Sequence, residues 1–228
     1  VGGHHARILP QQVLSEPFVD KVWTERVYGE GLFPYNERTK IHFQRTEMQY
    51  FTSRGCPFSC SFCALSSPWE PKDINDLGRE LKIIHRDIGF KEISFSDPNI
   101  ACGVFRDKKE NKTVVLDRVD RIRQLGKIMR NINVRWDGNI RANYIDPELV
   151  EALAESNCYS LEVGCESGND FFLRNVIKKG EGVDTIKNAA KASALSTTPT
   201  NIGNKIASIP GRIIFFNAPL VVISTQAA

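Results

Sequence analysis

Ser53-Arg54-Gly55-Cys56-Pro57-Phe58-Ser59-Cys60-Ser61-Phe62-Cys63 is the stretch on which the reading of this chain turns. Three thiols fall within eight residues, separated by three and then two others, so one tight loop can turn all of them toward a common point. Structural zinc sites usually draw four ligands from two separated pairs. Here one pair has grown into a triplet and no second pair exists. Cys102, Cys158 and Cys165 stand singly in or beside other elements and read as small buried core residues. Three thiolates suit an iron–sulfur cluster with one iron free of protein ligands, and an open position is what a catalytic metal site keeps.

Outward from this loop, strands and helices alternate. Met48 to Ser53 is a short β-prone run leading into the cysteines. Ile74, Leu77, Leu81, Ile84 and Ile88 recur at spacings of three and four, which predicts a helix over 74–88, with Asp73 as its cap and Gly89 as its left-handed stop. Lys91 to Ser96 reads as a strand with Ile93 and Phe95 on one face. Val115, Val119, Ile122, Leu125 and Met129 mark a second amphipathic helix, and the charged run Arg106 to Lys112 before it reads as a solvated loop. Asn133 to Asp137 is the third strand. A third helix starts at Asp146-Pro147, with the proline at its first position. Tyr159, Leu161 and Val163 alternate with Ser160 and Glu162 in a fourth strand, followed by helical stretches over 170–179 and 183–194 around Gly180-Glu181-Gly182.

Such repeated strand–helix–strand units argue for an α/β fold with a parallel sheet, wrapped as a barrel or doubly wound. The first 47 residues do not share the rhythm and read as the end of a preceding α/β unit with a linker. Beyond residue 195 the pattern weakens: Ser196 to Thr200 reads as a loop, and Arg212 to Ile223 as one or two strands.

Composition narrows the function classes. The chain has 228 residues, 30 basic against 27 acidic, and a net charge of +3, so it lacks the broad basic footprint of a nucleic-acid binder. The longest nearly apolar stretch, Ile213 to Ile223, is 11 residues, well short of the roughly 20 that cross a bilayer. Clustered cysteines in a chain without an export signal fit a reducing, cytoplasmic compartment. The chain opens at Val1 and reads as a piece of something longer.

Cys56, Cys60 and Cys63, with Phe62 at the aromatic place, resemble the Cys-x3-Cys-x-aromatic-Cys signature of the radical S-adenosylmethionine (SAM) enzymes, which follows the first strand of a partial (β/α) barrel. Other stretches resemble the family too. Ile93 to Asn99 is similar to its second strand, ending in the acidic Asp97. Trp136 through Arg141, Ile145 to Leu149 and Leu161 to Gly168 are similar to its third and fourth units. Gly164-Cys165-Glu166-Ser167-Gly168 resembles the Gly-x-Glu-Ser-Gly stretch of the branch that carries an N-terminal cobalamin-binding domain. Val1 to Ala6, Pro10 and Tyr28 to Gly31 resemble the tail and exit linker of that domain. Ile206 to Gly211 is only faintly similar to the family's fifth strand, and the Glu-Thr expected after it is replaced by Arg212-Ile213.

The resemblance implies an incomplete barrel over residues 48–228, with 195–228 of uncertain place in it, preceded by a Rossmann-like cobalamin-domain tail over 1–47. It implies a 4Fe–4S cluster on Cys56, Cys60 and Cys63, with SAM chelating the open iron through its amino and carboxylate groups. One electron then cleaves SAM to methionine and a 5′-deoxyadenosyl radical, for methyl transfer, methylthiolation or ring formation. Phe62 would pack near the adenine, Asp97 would contact the cofactor, and Glu166 would bind ribose hydroxyls or the methionyl amine. Arg141 or Arg174 would pair with the methionyl carboxylate, since a guanidinium suits a carboxylate bidentately. A flavodoxin- or ferredoxin-like reductant would supply the electron, and cobalamin would belong to the longer parent. The competing reading is a truncated, non-catalytic fragment whose cysteines hold iron–sulfur or zinc for structure alone. Neither reading names a substrate or a substrate-side acid or base.

Overall fold

The computed structural model describes residues 9–22, 48–65, 67–107, 111–194, 205–209, 212–216 and 220–224. The chain divides into two compact units, Val1–Tyr35 and Asn36–Ala228. In the first, a five-residue helix α1 (Pro10–Leu14) begins with its proline at the first turn. Val1 to Ala6 and Tyr28 to Gly31, the segments similar to a cobalamin domain, lie outside the described residues.

The second unit is organised by a seven-stranded sheet. Its first four strands are β1 (Met48–Tyr50), β4 (Glu92–Phe95), β7 (Arg135–Ile140) and β8 (Cys158–Gly164), adjacent in that order and all parallel. Helices α2 (Ile74–Ile88), α3 (Arg118–Asn131) and α4 (Pro147–Ala154) lie on the connections between them, as a parallel sheet requires. The expected α/β class is therefore present.

Local chemistry explains the boundaries. Asp73 accepts from the amides of Asn75 and Asp76, and Gly89 closes α2 at φ 75°, as the sequence predicts. Leu77, Leu81, Ile84 and Ile88 form its buried stripe. Asp146 caps α4 by accepting from Leu149 N at 2.9 Å, with Pro147 at the first position. Between sheet and helices, Phe95 and Trp136 pack at 5.6 Å, and the Trp136 indole donates to Ser156 O at 2.7 Å. That bond satisfies a buried donor which would otherwise be costly.

Several expectations are corrected. The run Met48 to Ser53 is not one strand: β1 stops at Tyr50, and β2 (Ser53–Arg54) pairs antiparallel with β3 (Glu70–Pro71). The charged run Arg106 to Lys112 is not a plain loop but part of a hairpin, β5 (Val104–Asp107) against β6 (Lys112–Val115). Val115 consequently ends a strand, exposed, and α3 begins later, where Asp117 accepts from Val119 N and Asp120 N. The helix expected over 170–179 is a short π-helical turn, Phe172–Val176; α5 spans Val183–Ala194. The stretch similar to a fifth barrel strand forms β9 (Lys205–Ile209) at the far edge, not beside β8. There, β10 (Arg212–Phe216) pairs antiparallel with β9 and with β11 (Leu220–Ser224), and β11 takes the place beside β8, parallel to it. Ser196 to Thr200 lies outside the described residues.

Candidate active site at the strand ends

Because β1, β4, β7 and β8 run the same way, whatever follows each strand emerges at one edge of the sheet. The cysteine loop, Asp97, Arg141 and Glu166 all follow one of these strands directly or after a few residues. In open and barrel α/β folds this edge carries the site.

The loop is closed at its base by the β2–β3 ladder, where Ser53 faces Pro71 and Arg54 faces Glu70. Cys56 N donates to Ser67 O at 3.0 Å just inside. Gly55 makes the entry feasible. Its φ is +69°, and a Cβ there would stand 2.0 Å from the Pro68 carbonyl oxygen, so both conformation and space demand glycine. Farther out, Ser61 N donates to Ile177 O at 2.9 Å and Ser61 Oγ to Val176 O at 2.7 Å, which ties the thiols to the turn after β8.

Asp97 is fully buried, and both its carboxylate oxygens face the protein. Thr52 donates its amide and hydroxyl, each at 2.8 Å, and Ser53 its hydroxyl. Burial pushes this carboxyl up, opposed by those hydrogen bonds. On the other side of Thr52, the buried Arg121 of α3 donates to Thr52 O at 3.0 Å and to Lys72 O at 3.2 Å. A carboxylate and a guanidinium thus hold the amide and the carbonyl of one residue, just before the cysteine loop. Asp97 occupies the strand end, as the resemblance implies, with its hydrogen-bonding directed at Thr52 and Ser53.

Arg141 comes to the loop itself. Its Nη1 lies 3.3 Å from Cys60 Sγ, Nη2 donates to Lys179 O, and the guanidinium sits 3.8 Å over the Phe58 ring. Phe58 also meets Tyr144 edge-on at 6.1 Å. Nε of Arg141 is buried without a hydrogen-bond partner. Behind it lies a buried charge network. Glu181 Oε2 accepts from Asn143 N at 3.1 Å, and its Oε1 stands 3.9 Å from Arg141 Nη2 and 3.3 Å from Lys179 Nζ, ion pairs without hydrogen-bond alignment. Lys179 donates to Gly164 O and to Glu166 Oε1, the latter at 3.1 Å. Glu166 is held at φ 59°, a left-handed conformation rare for its type and enriched at functional sites.

The structure therefore brings Arg141 to the cysteines and links Glu166 to Arg141 through Lys179 and Glu181. Arg174 is different: it lies on the surface, 3.8 Å from Asp170 in an i,i+4 pair. Phe62 is 57% exposed beside the thiols. Lys179, Glu181, Phe58 and Arg121 are absent from the sequence-based candidates. In the sequence Lys178 and Lys179 end the helical stretch over 170–179 and Glu181 lies in the glycine break after it; that Lys179 and Glu181 are buried around Gly180, at positive φ, shows only in the fold.

The donor set can be tested against an iron–sulfur group on these grounds. Among the described residues no three Cys, His, Asp or Glu side chains stand close enough to ligate a single ion. Burial pushes the Cys56 thiol up, countered by an amide hydrogen bond from Phe58 and by the charge of Arg141. The loop thiols, an adjacent fixed cation and an unmatched buried N–H suit a thiolate-ligated anionic cluster. The residues fit the group.

Comparison with known families agrees with this geometry: the model of the radical SAM superfamily matches residues 50–205. The chain belongs to the radical SAM superfamily. It is 30% identical over 147 residues to an uncharacterized methyltransferase of Pyrococcus horikoshii, a match covering 61% of this chain and 29% of that protein. It is 26% identical over 137 residues to cytidylyl-2-hydroxyethylphosphonate methyltransferase of Streptomyces wedmorensis, covering 58% and 23%. Among solved structures it resembles the radical SAM methyltransferase TsrM of Kitasatospora setae, with cobalamin and a [4Fe–4S] cluster bound, at TM-score 0.53 and 14% identity over 68% of this chain and 28% of that one. At that identity the likeness speaks for the fold. The chain spans less than a third of each of these proteins. No helix among the described residues is long and apolar enough to cross a membrane.

Proposed function

We propose that this chain is the radical-generating core of a radical SAM methyltransferase, with Cys56, Cys60 and Cys63 as ligands to a 4Fe–4S cluster. The observation that carries the reading is the cysteine loop itself: three thiols at the C-terminal edge of a parallel sheet, latched by Ser61 and faced by the Arg141 guanidinium. When bound, the cluster and SAM supply a 5′-deoxyadenosyl radical or, with cobalamin in the longer parent, a transferable methyl group.

The chain's own residues shape the site for such reactive chemistry. Phe62, exposed beside the thiols, offers an apolar face to the adenine. Glu166, fixed at a left-handed residue and oriented by Lys179, offers its second carboxylate oxygen to the ribose or the methionyl amine. The half-buried Phe58 and the buried Arg141 and Glu181 form a wall that limits water. Methyl transfer leads among the three reaction types because both curated relatives described above bear methyltransferase names. A soluble one-electron donor of the flavodoxin or ferredoxin kind would serve as reductant, in the cytoplasm.

The test is anaerobic reconstitution with iron and sulfide, then dithionite and SAM, with 5′-deoxyadenosine and S-adenosylhomocysteine measured. A brown protein with close to four irons that forms either product is expected. A colourless protein that takes up zinc in preference to iron overturns the reading.

A further inference from the structure

Arg141 was a candidate for the methionyl carboxylate, yet two of its three nitrogens are engaged elsewhere. Nη1 is at 3.3 Å from the Cys60 sulfur, Nη2 is donated to Lys179 O, and the plane is stacked on Phe58 at 3.8 Å. Such a guanidinium is fixed on three sides. Its side chain is 9% exposed, so the charge near Cys60 is little screened. Glu181, 3.9 Å from Nη2 and shared with Lys179, offsets part of this charge from the far side, while Nη1 is the nitrogen directed at Cys60.

We infer that Arg141 is a positioning residue for the Cys60 thiolate, and that it sets the ease with which a cluster on this loop accepts an electron. The inference rests on the assignment of the cluster to Cys56, Cys60 and Cys63. Reduction adds one electron and no proton here, because a guanidinium is already protonated at every working pH. The added negative charge falls next to a fixed positive one, and an N–H directed at a ligand sulfur lowers that sulfur's electron donation. Both effects favour the reduced form, and both are recognised determinants of cluster potential. Phe58 is part of the device, since the ring holds the guanidinium plane against the loop.

The experiment is a potentiometric titration of the reconstituted chain, with the reduced cluster followed by electron paramagnetic resonance, alongside SAM affinity by calorimetry. Arg141→Gln should make one-electron reduction about tenfold less favourable, a shift of about 59 mV to more negative potential. Arg141→Lys keeps the charge but not the stacked fork, so its shift should have the same sign and be smaller. Phe58→Leu loosens the guanidinium without removing it and should behave like the lysine variant, which keeps the test alive if Arg141→Gln fails to fold. An Arg141→Gln cluster with an unmoved midpoint and weakened SAM affinity overturns the inference and returns Arg141 to the methionyl carboxylate. A wild-type chain that takes up no iron overturns the cluster assignment itself, a different failure with a different readout.

Discussion

Cys56, Cys60 and Cys63 sit half-buried to exposed on a loop outside the sheet, whereas Cys102, Cys158 and Cys165 are buried within or just beyond the elements. The same side chain has opposite chemistry in the two places. Burial pushes the thiols of Cys102 and Cys165 up to about 12 and that of Cys158 higher still, so all three remain protonated and inert. Among the loop thiols, Cys60 has the Arg141 guanidinium 3.3 Å away, Cys63 is exposed, and at Cys56 the Arg141 charge opposes the upward push of partial burial. Cysteine count says little about function in this chain; exposure and adjacent charge separate ligand from filler.

The sharpest way to break this contrast is Cys60→Ala. Iron content should collapse and SAM cleavage fall by more than a hundredfold, while the far-ultraviolet circular dichroism stays unchanged. Cys158→Ala should alter neither iron nor turnover, costing only packing stability. If the two variants behaved alike, the division into two populations would be wrong.

The base of the loop gives the next largest effect. Arg121→Met leaves the Thr52 and Lys72 carbonyls without their guanidinium donor and removes the positive charge that acts on Asp97, at a cost of roughly 2 kcal/mol in urea unfolding. Gly55→Ala must shift the backbone at Pro68 and adopt a left-handed angle, and should lose at least about 2 kcal/mol together with iron uptake. A fully stable Gly55→Ala protein would show that the loop entry is softer than its geometry implies.

Native alkylation of the cluster-free chain sharpens the contrast directly. Iodoacetamide followed by peptide mapping should label Cys63, the exposed one, ahead of Cys56, and leave Cys102, Cys158 and Cys165 unlabelled until denaturant is added.

The smallest expected effect lies away from the cysteines, at Glu80. Burial raises its carboxyl, but hydrogen bonds from Lys72, at 2.6 Å, and from Tyr50 outweigh it, and the net shift is downward. A depressed carboxyl contributes stability above its unfolded pKa and loses it as pH falls through the folded value. Glu80→Gln should therefore cost about 0.5 kcal/mol at neutral pH, discounted for its partial exposure, and nothing once the pH has fallen through the folded-state value. An unchanged acid limb in the unfolding curve would dismiss the pair as a contributor.

What could be read from the residues follows from the range of the forces involved. Helices α2 and α4 are legible because caps and apolar spacing are local: Asp73, Gly89, Asp146 and Pro147 act on neighbours within four residues. The parallel strands follow from their alternation and from the helices between them. The cysteine triplet is legible because its spacing is the chemistry. The hairpin β5–β6 is not, since its charged residues resemble any solvated loop and its pairing is decided by partners across the turn. Nor are Arg121, Lys179 and Glu181, because a buried charge is marked only by a distant partner: Arg121 reaches Thr52 across 69 residues, and Lys179 receives Arg141 across 38. The order β11-β10-β9 at the far edge likewise depends on which strand pairs with β8, and no single segment records that.

The two bonds from Ser61 to Val176 and Ile177 carry a consequence for how the protein is made. One of them spans 115 residues, so the portion emerging early from the ribosome waits for a portion translated much later before it is fastened. Until then, three sulfhydryls dangle on an unlatched hinge, vulnerable to oxygen and to stray metals. Delivery of inorganic iron and sulfide should accordingly succeed only after synthesis has passed the fourth parallel strand, and a nascent chain arrested before that point should capture zinc or oxidise instead.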